Sequence, residues 1–331
     1  MRILVYDVAA DSGGAATVLK SFYEEFRQDT ENEYVFVLSV FELQETNHIR
    51  VLNFPWIKKS PLHRLYFDQI RAHRLVKKYR IDQVLSLQNI ELPHAGVPQV
   101  VYEHNALPFA EYRFKPWEGF RPWFTRQVLG RMMKRSISRA EKVLVQTNWM
   151  KQEIVRQCRI PSEKVEVKFP PVELPKPQNC HPNPEKTMFF YPANASAYKN
   201  HRTFLKACEL LKDQGCGNYE VVWTVTGREN RGIRAIRKEA EERNLPIVFR
   251  GPMPKEKLFE MYASSVLVFP SCIETIGLPL LEAKAVGTWI LAADCLYARD
   301  GMGDYEKAEF FEPFDAGRLC SLMKRRIVKE G

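Results

Sequence analysis

The amino-acid sequence predicts an α/β protein with two parallel-sheet domains that face a central cleft. Three observations carry this prediction: a length of 331 residues, a repeated alternation of strand and helix patterns, and a proline-rich interruption halfway along the chain. A chain of this length is too long for one ordinary core and long enough for two. Strands that alternate with helices specify a parallel sheet that helices cover on both faces.

The first half of the chain predicts one Rossmann-like domain over residues 1–168. Short apolar runs predict strands at Ile3–Tyr6, Tyr34–Val40, Gln83–Leu87, Gln99–Tyr102 and Lys142–Gln146. Amphipathic patterns predict helices at Ala15–Phe26, Leu65–Tyr79 and Pro122–Arg139. The two kinds of element alternate along the chain, which is typical of a doubly wound sheet.

The second half repeats the pattern after a linker. Residues 169–184 read FPPVELPKPQNCHPNP, and the six prolines remove backbone donors and disfavour helix before them. We therefore assign a linker to residues 169–186 and a second Rossmann-like domain to residues 187–331. Its predicted strands are Thr187–Tyr191, Glu220–Thr226, Ile247–Phe249, Val266–Phe269 and Trp289–Leu291. Its predicted helices are His201–Lys212, Ile233–Arg243, Lys255–Ala263, Pro279–Val286 and Ala316–Ile327.

Composition limits the class of protein and its partners. Hydrophobic residues at 45% and charged residues at 27% are ordinary globular usage, and the opening MRILVYDVAA is too short and polar for a secretion signal, so a cytoplasmic protein is expected. The seven cysteines include no Cys-x-x-Cys pair, and their odd number argues against a disulfide framework. A net charge of +9 indicates an anionic partner: a phosphate-bearing substrate, an anionic lipid or a nucleic acid.

The most informative segment, residues 269–288, reads FPSCIETIGLPLLEAKAVGT. Ligands of open α/β sheets bind beyond the carboxyl ends of strands, and here a strand is followed by a polar loop with Glu274. Pro279 suits the first position of a helix, so the N–H groups of residues 276–278 would lie at its positive end and form a cradle for a diphosphate. Glu282 is then expected in the first helical turn, within reach of ligand hydroxyls. Alternatively, Glu282 only complements the helix dipole and Glu274 caps the loop.

This segment resembles the E-x7-E signature of retaining glycosyltransferases with the GT-B fold, family 4, the glycosyl transferases group 1. The resemblance covers nearly the whole chain. It implies transfer of a sugar from a nucleotide-sugar donor to a glycan or lipid-linked acceptor, for example in cell-surface polysaccharide synthesis. It implies that Glu282 binds the ribose hydroxyls and that Glu274 faces the donor sugar. It also implies that the sugar and diphosphate are held by the backbone amides of Thr275, Ile276, Gly277 and Leu278.

A second match is YPANASAYKNHRTFLKA, residues 191–207. Lys199 precedes a predicted helix, and a cation at that positive end gains nothing unless an anion lies between them. A diphosphate would supply the anion; the alternative is a solvated loop lysine. The resemblance implies diphosphate binding by Lys199, usually with an arginine about five residues earlier. This chain has Asn194 there, and Arg228, which follows Gly227, is the candidate substitute.

Two features in the first half of the chain provide further candidate site residues. The loop DVAADSGGAATVL carries Gly13 and Gly14, which either form a tight turn or let a ligand approach the backbone, although the complete G-x-G-x-x-G pattern is absent. His104 ends the strand VPQVVYEHN and is therefore a candidate site residue. The alternative is a packed or surface histidine. The resemblance implies that the glycines approach the donor diphosphate and the acceptor, and that His104 contacts the transferred sugar. Its weaker neighbours are Asn89, Glu103 and Asn105.

No metal or cofactor is expected. The sequence contains no Asp-x-Asp, and its histidines have no metal-ligand spacing. The charge of the diphosphate would then be neutralised by helix ends and Lys199 rather than by Mg²⁺, which is electrostatic catalysis. Retention would follow from attack on the same face, with the departing phosphate accepting the acceptor's proton.

Two other functional classes fit parts of the sequence. A nucleic-acid-binding or other non-enzymatic anion-binding protein would fit the basic charge, but neither a helix-turn-helix nor a sheet face of interleaved aromatics and cations is evident, so no nucleic acid is expected. A sugar-nucleotide epimerase or hydrolase would share the nucleotide site. The loop Arg250–Met253 is the place where we expect the donor base.

Two basic stretches, Lys58–Arg80 and Arg113–Lys142, suggest an anionic membrane surface as a further partner. The second interleaves cations with aromatic residues: Phe114, Trp117, Phe120, Trp123 and Phe124. Aromatic rings and cations suit the lipid interface. In the alternative interpretation, the aromatics pack into the core and the cations form a solvated face.

Overall fold

The computed structural model describes residues 1–11, 13–112, 123–177 and 185–327. The chain divides into two compact units, one of residues 1–109 and 124–172, the other of residues 110–123 and 173–331. The change of unit at residues 172 and 173 falls within the predicted linker. The grouping of residues 110–123 with the second unit differs from the predicted first domain of residues 1–168. Tyr112, in that segment, packs against Phe314 with ring centroids 5.1 Å apart.

The first unit contains a seven-stranded parallel sheet with strand order β3-β2-β1-β4-β5-β6-β7. Its strands are β1 Arg2–Asp7, β2 Glu33–Leu38, β3 Ile49–Asn53, β4 Gln83–Ser86, β5 Gln99–Glu103, β6 Lys142–Val145 and β7 Val165–Val167. Its helices are Gly13–Gln28, Pro61–Tyr66, Ala72–Lys78, Gly130–Arg139 and Asn148–Cys158, with π-helical turns at Phe67–Arg71 and Thr125–Leu129. Short 3-10 turns lie at Pro55–Lys59 and Ser162–Lys164.

Alternate residues of the central strands supply the two faces of this sheet. Val5 and Phe36 point to the face covered by the helix Gly13–Gln28, where Phe22 also packs. Leu4 and Val35 point to the opposite face, which the helices of residues 61–78 cover. This alternation follows from the period of two in a strand.

The second unit contains a six-stranded parallel sheet with strand order β10-β9-β8-β11-β12-β13. Its strands are β8 Thr187–Tyr191, β9 Tyr219–Trp223, β10 Ile247–Phe249, β11 Val266–Phe269, β12 Ile290–Ala293 and β13 Ala308–Phe311. Its helices are His201–Asp213, Arg231–Glu242, Lys255–Ala263, Leu278–Val286, Leu296–Met302 and Ala316–Lys324, with a 3-10 turn at Ala197–Lys199. Strands β11 and β12 are buried along their whole length, as expected of central parallel strands with both faces covered.

Both sheets reverse their strand order at one point, and that point positions the candidate site. In the second sheet the reversal lies between β8 and β11, which pair directly. The loops that follow these two strands therefore leave the same edge of the sheet side by side. A topological switch point of this kind is where ligands bind in open α/β sheets. Within the described parts of the chain, no helix combines the length and apolar character needed to span a bilayer.

Candidate active site

At the switch point of the second sheet, Lys199 and Glu274 form an ion pair. Lys199 lies in the loop after β8 and Glu274 in the loop after β11, and their side chains are only 12% and 17% exposed. The Ser271 hydroxyl donates to Glu274 Oε1 at 2.7 Å. The Cys272 N–H donates to the Tyr198 carbonyl at 2.8 Å and ties the two loops together. The fold thus joins the two charged residues that the sequence analysis treated as separate motifs.

The loop after β8 positions Lys199 through backbone contacts. Asn194 Oδ1 accepts from the Ser196 N–H at 3.0 Å, the 3-10 turn Ala197–Lys199 follows, and the Tyr191 hydroxyl donates to the Lys199 carbonyl at 2.6 Å. Lys199 lies just before the helix His201–Asp213, as predicted. The anion beside it in the structure is Glu274, whereas the sequence indicated only a bound diphosphate in that place.

Gly277 determines how the next helix begins. It has φ 73° and ψ 54°, a left-handed conformation, and a Cβ there would lie 3.1 Å from Cδ2 of Tyr297. Both the backbone and the space therefore favour glycine. Because Gly277 caps the helix, the helix starts at Leu278 and Pro279 takes its second position rather than the first. The prediction that Glu282 lies in the first turn is wrong: as the fifth helical residue it lies in the second.

The start of this helix offers unpaired backbone donors. The N–H groups of Ile276, Gly277 and Leu278 form no hydrogen bond with any described residue. Ile276 is buried and Leu278 is exposed. Free N–H groups at the positive end of a helix form a binding site for an anion. The cation of Lys199 lies on the adjoining loop, so the geometry suits a diphosphate.

Glu282 is held by a residue that the sequence analysis missed. The Tyr262 hydroxyl donates to Glu282 Oε2 at 2.8 Å, and the Tyr262 carbonyl accepts from the Thr288 hydroxyl at 2.7 Å. Burial raises the pKa of Glu282, and the hydrogen bond from Tyr262 and the charge of Lys255 oppose that increase. Tyr262 is the penultimate residue of the helix Lys255–Ala263, so only the folded arrangement, and no local sequence pattern, connects it with Glu282.

Gly227 and Arg228 contribute less to the site than the sequence suggested. Gly227 has φ 80°, and a Cβ there would overlap the side chain of Arg237, so packing alone accounts for this glycine. The exposed side chain of Arg228 donates to no residue that the structure describes, although its backbone N–H donates to Glu229 Oε2 at 3.0 Å. Among the described contacts, neither Asn194 nor Arg228 touches Lys199 or Glu274 directly.

In the first unit, His104 follows β5 in a loop fixed by polar contacts. Its N–H donates to Asn89 Oδ1 at 2.7 Å, and its ring meets the Tyr102 ring edge-on at 5.8 Å. The Asn105 N–H donates to Glu103 Oε1 at 3.0 Å, and burial raises the pKa of Glu103. Burial lowers the pKa of His104 to about 4, so the imidazole is neutral at neutral pH. The three weaker candidates, Asn89, Glu103 and Asn105, therefore shape the backbone around His104.

The glycine pair lies where the first helix begins. Gly13 is the first residue of the helix Gly13–Gln28, and a Cβ on Gly14 would meet no heavy atom of the described residues within 4 Å, its chain neighbours and its own helix backbone aside. The space beside Gly14 would admit a ligand. Among the described residues, no three His, Cys, Asp or Glu side chains come together as a metal site. The independence from metal stays a prediction.

Comparison with known proteins shows the family. Residues 12–176 match the family described as Glycosyltransferase Family 4, and residues 176–327 match the family described as Glycosyl transferases group 1. Together the matches run from residue 12 to residue 327. The chain belongs to the group 1 glycosyltransferases, and its two parallel-sheet α/β units are those of the GT-B fold.

Individual relatives are distant in sequence. O-antigen chain mannosyltransferase B of Escherichia coli is 24% identical over 275 residues, which span 78% of this chain and 69% of that protein. The structure resembles the lipopolysaccharide outer core galactosyltransferase WaaB, with a TM-score of 0.66, 16% identity and coverage of 99% of this chain and 90% of that one. It also resembles Anabaena Alr3699/HepE in complex with UDP-glucose, with a TM-score of 0.65, 16% identity and the same coverage. At these identities the structural likeness shows the fold.

Proposed function

We propose that this protein transfers a sugar from a nucleotide-sugar donor to a glycan or lipid-linked saccharide, with retention of configuration and without a bound metal. One observation carries the proposal: at the switch point of the second sheet, the ion pair of Lys199 and Glu274 adjoins the N–H groups of residues 276–278, which pair with no described residue. The names of relatives support the substrate class, since one is an O-antigen mannosyltransferase and another is a complex with UDP-glucose.

The residues at the switch point can stabilise the leaving group. When the bond between the anomeric carbon and the phosphate oxygen breaks, negative charge grows on the nucleoside diphosphate. Lys199 and the backbone N–H groups would receive that charge without reorganising, which is often the largest single contribution to catalysis. Glu274, once Lys199 turns to the diphosphate, would accept hydrogen bonds from hydroxyls of the donor sugar.

Retention requires the acceptor to attack from the face that the diphosphate leaves. The acceptor oxygen forms the new bond to the anomeric carbon, and its proton passes to the departing phosphate oxygen. His104, neutral at neutral pH, would donate or accept a hydrogen bond with a hydroxyl of the transferred sugar. The Gly13 and Gly14 loop would let the diphosphate and the acceptor approach the backbone.

A panel of UDP-, GDP- and TDP-sugars tests the donor class, since a ligand of the native state raises the melting temperature. With the stabilising donor and saccharide acceptors, we expect a product whose anomeric configuration, read by nuclear magnetic resonance, matches the donor. EDTA should leave the rate unchanged. An inverted product would refute retention, and activity lost with EDTA and restored by Mg²⁺ or Mn²⁺ would refute metal independence. Donor consumption that is indifferent to acceptor would favour the hydrolase or epimerase alternative.

Nucleotide affinity should depend on Glu282 and, through it, on Tyr262. We expect Glu282→Ala and Tyr262→Phe to weaken binding of the nucleoside diphosphate by about 10-fold or more, because a hydrogen bond to a charged group contributes about 1.5–3 kcal/mol. Isothermal titration calorimetry measures the effect. Tyr219→Phe is the matched control, since Tyr219 is equally buried and its hydroxyl donates to the Cys208 carbonyl at 3.2 Å. Wild-type affinity in the Glu282 variant would contradict ribose binding by this residue.

A further inference from the structure

A continuous helical segment of the first unit exposes a row of large apolar side chains. Residues 61–78 form one run of α-helix, π-helical turn and α-helix. The exposed fractions are 75% for Leu62, 55% for Leu65, 46% for Tyr66 and 40% for Ile70. We call these four residues the outer face.

The outer face is distinct from the face that holds the segment on the sheet. Phe67 is fully buried, and Ala72 and Val76 are almost so; all three belong to the core cluster beneath the helix. The segment therefore packs with one side and presents a second apolar side outward. Contiguous apolar surface of this kind marks an interaction site, whereas single exposed apolar residues are ordinary.

The charges around the outer face have one sign. Residues 58–80 contain eight Lys and Arg residues and a single acidic residue, Asp68. Asp68 is ion-paired with Arg64 at 2.7 Å and accepts a hydrogen bond from the Tyr6 hydroxyl. Exposed cations precede the outer face in the chain, at Lys58 and Lys59, and follow it, at Arg71, Arg74, Lys77 and Lys78. An apolar face bordered by cations complements an anionic lipid leaflet.

We propose that the outer face is a membrane-contact surface, which inserts Leu62, Leu65, Tyr66 and Ile70 at the boundary between headgroups and acyl chains. The flanking Lys and Arg side chains would lie against lipid phosphates. This inference does not depend on the donor site. A membrane-contact surface would bring the protein to a lipid-linked acceptor.

The second basic stretch, Arg113–Lys142, supports membrane contact less strongly. Phe114, Trp117 and Phe120 lie outside the described residues. Of the other two aromatics, Trp123 is half-buried and Phe124 is 43% exposed. The proposal therefore rests on the segment of residues 61–78.

Cosedimentation with vesicles of phosphatidylglycerol or phosphatidylcholine, at low and high salt, tests the proposal. The wild-type protein should sediment with phosphatidylglycerol at low salt and much less with phosphatidylcholine or at high salt. The triple variant Leu62→Ser, Leu65→Ser, Ile70→Ser and the quadruple variant Arg71→Gln, Arg74→Gln, Lys77→Gln, Lys78→Gln should each bind at least about tenfold more weakly. Leu210→Ser, an exposed leucine of the second unit, is the matched control and should bind as wild type.

Three results would overturn the proposal. Wild-type protein that stays in the supernatant with phosphatidylglycerol at low salt is the first, and a triple variant that sediments as wild type is the second. The third is a vesicle-free wild-type dimer that the triple variant converts to monomer, because the outer face would then bind a second copy. Melting temperature and nucleoside diphosphate affinity, measured on the same variants, separate loss of the membrane surface from misfolding or from failure of the proposed donor site.

Discussion

Replacing Lys199 with alanine is expected to reduce kcat/KM for sugar transfer by about 30-fold to several thousand-fold. Truncating one partner of a desolvated charge pair costs about 2–5 kcal/mol, and each 1.4 kcal/mol is tenfold in rate. Lys199 fits that case, because its side chain is 12% exposed and its partner Glu274 is 17% exposed. Without Lys199, the carboxylate of Glu274 and the donor diphosphate would face each other as two anions, so donor binding should weaken together with turnover.

Steady-state kinetics with the donor chosen by the panel, together with calorimetric titration of the nucleoside diphosphate, measures this effect. Lys186→Ala is the matched control, because Lys186 pairs with Glu220 at 3.7 Å in the same unit but is 44% exposed. A surface pair of that kind contributes about 0–1 kcal/mol. Equal, mild effects of the two substitutions would mean that the diphosphate is bound elsewhere.

Replacing Glu274 with glutamine is expected to lower turnover without weakening nucleotide binding. Turnover should fall by about 100-fold or more, because the neutral amide loses charge-assisted hydrogen bonds to the donor sugar in the transition state. Affinity for the nucleoside diphosphate should be unchanged or tighter. The reason is that Glu274, which pairs with Lys199 in the structure, would compete with a bound diphosphate for that cation, and the substitution would remove the competing charge.

The control for this variant is Glu239→Gln. Glu239 also forms an ion pair in the second unit, with Arg202, but its side chain is 37% exposed. Single-turnover rates and calorimetric affinities of the two variants separate chemistry from binding. Weaker nucleotide binding in the Glu274 variant, with turnover preserved, would reverse the roles assigned here to Glu274 and Lys199.

The sequence predicts the central strands and the edge strand β10, but it misses the other three edge strands. Strand β11 matches the predicted Val266–Phe269, since a wholly buried parallel strand is a continuous apolar run. Strands β3, β7 and β13 have no predicted counterpart. β3 and β13 are only partly buried, and β7 has three residues, so their patterns are weak or short. The predicted strand Glu220–Thr226 was too long because it included loop residues after Trp223.

In the candidate site, contacts between residues far apart in the sequence could not be predicted. Loops, glycines and charged residues could be located from the sequence, because each follows a strand or precedes a helix. The pairing of Lys199 with Glu274 joins positions 75 residues apart, and that of Tyr262 with Glu282 joins positions 20 apart. Only the order of strands in the sheet brings such residues together. Gly277 shifted the helix start by one residue because its left-handed conformation caps the helix directly.

The central claim is that the switch point of the second sheet holds the donor diphosphate. A crystal structure with the nucleoside diphosphate selected by the panel tests it most directly. We expect the phosphates to lie against Lys199 Nζ and the N–H groups of residues 276–278, the ribose hydroxyls to bind Glu282, and Glu274 to be separated from Lys199. A nucleotide bound away from this loop pair, with the ion pair of Lys199 and Glu274 intact, would contradict the account.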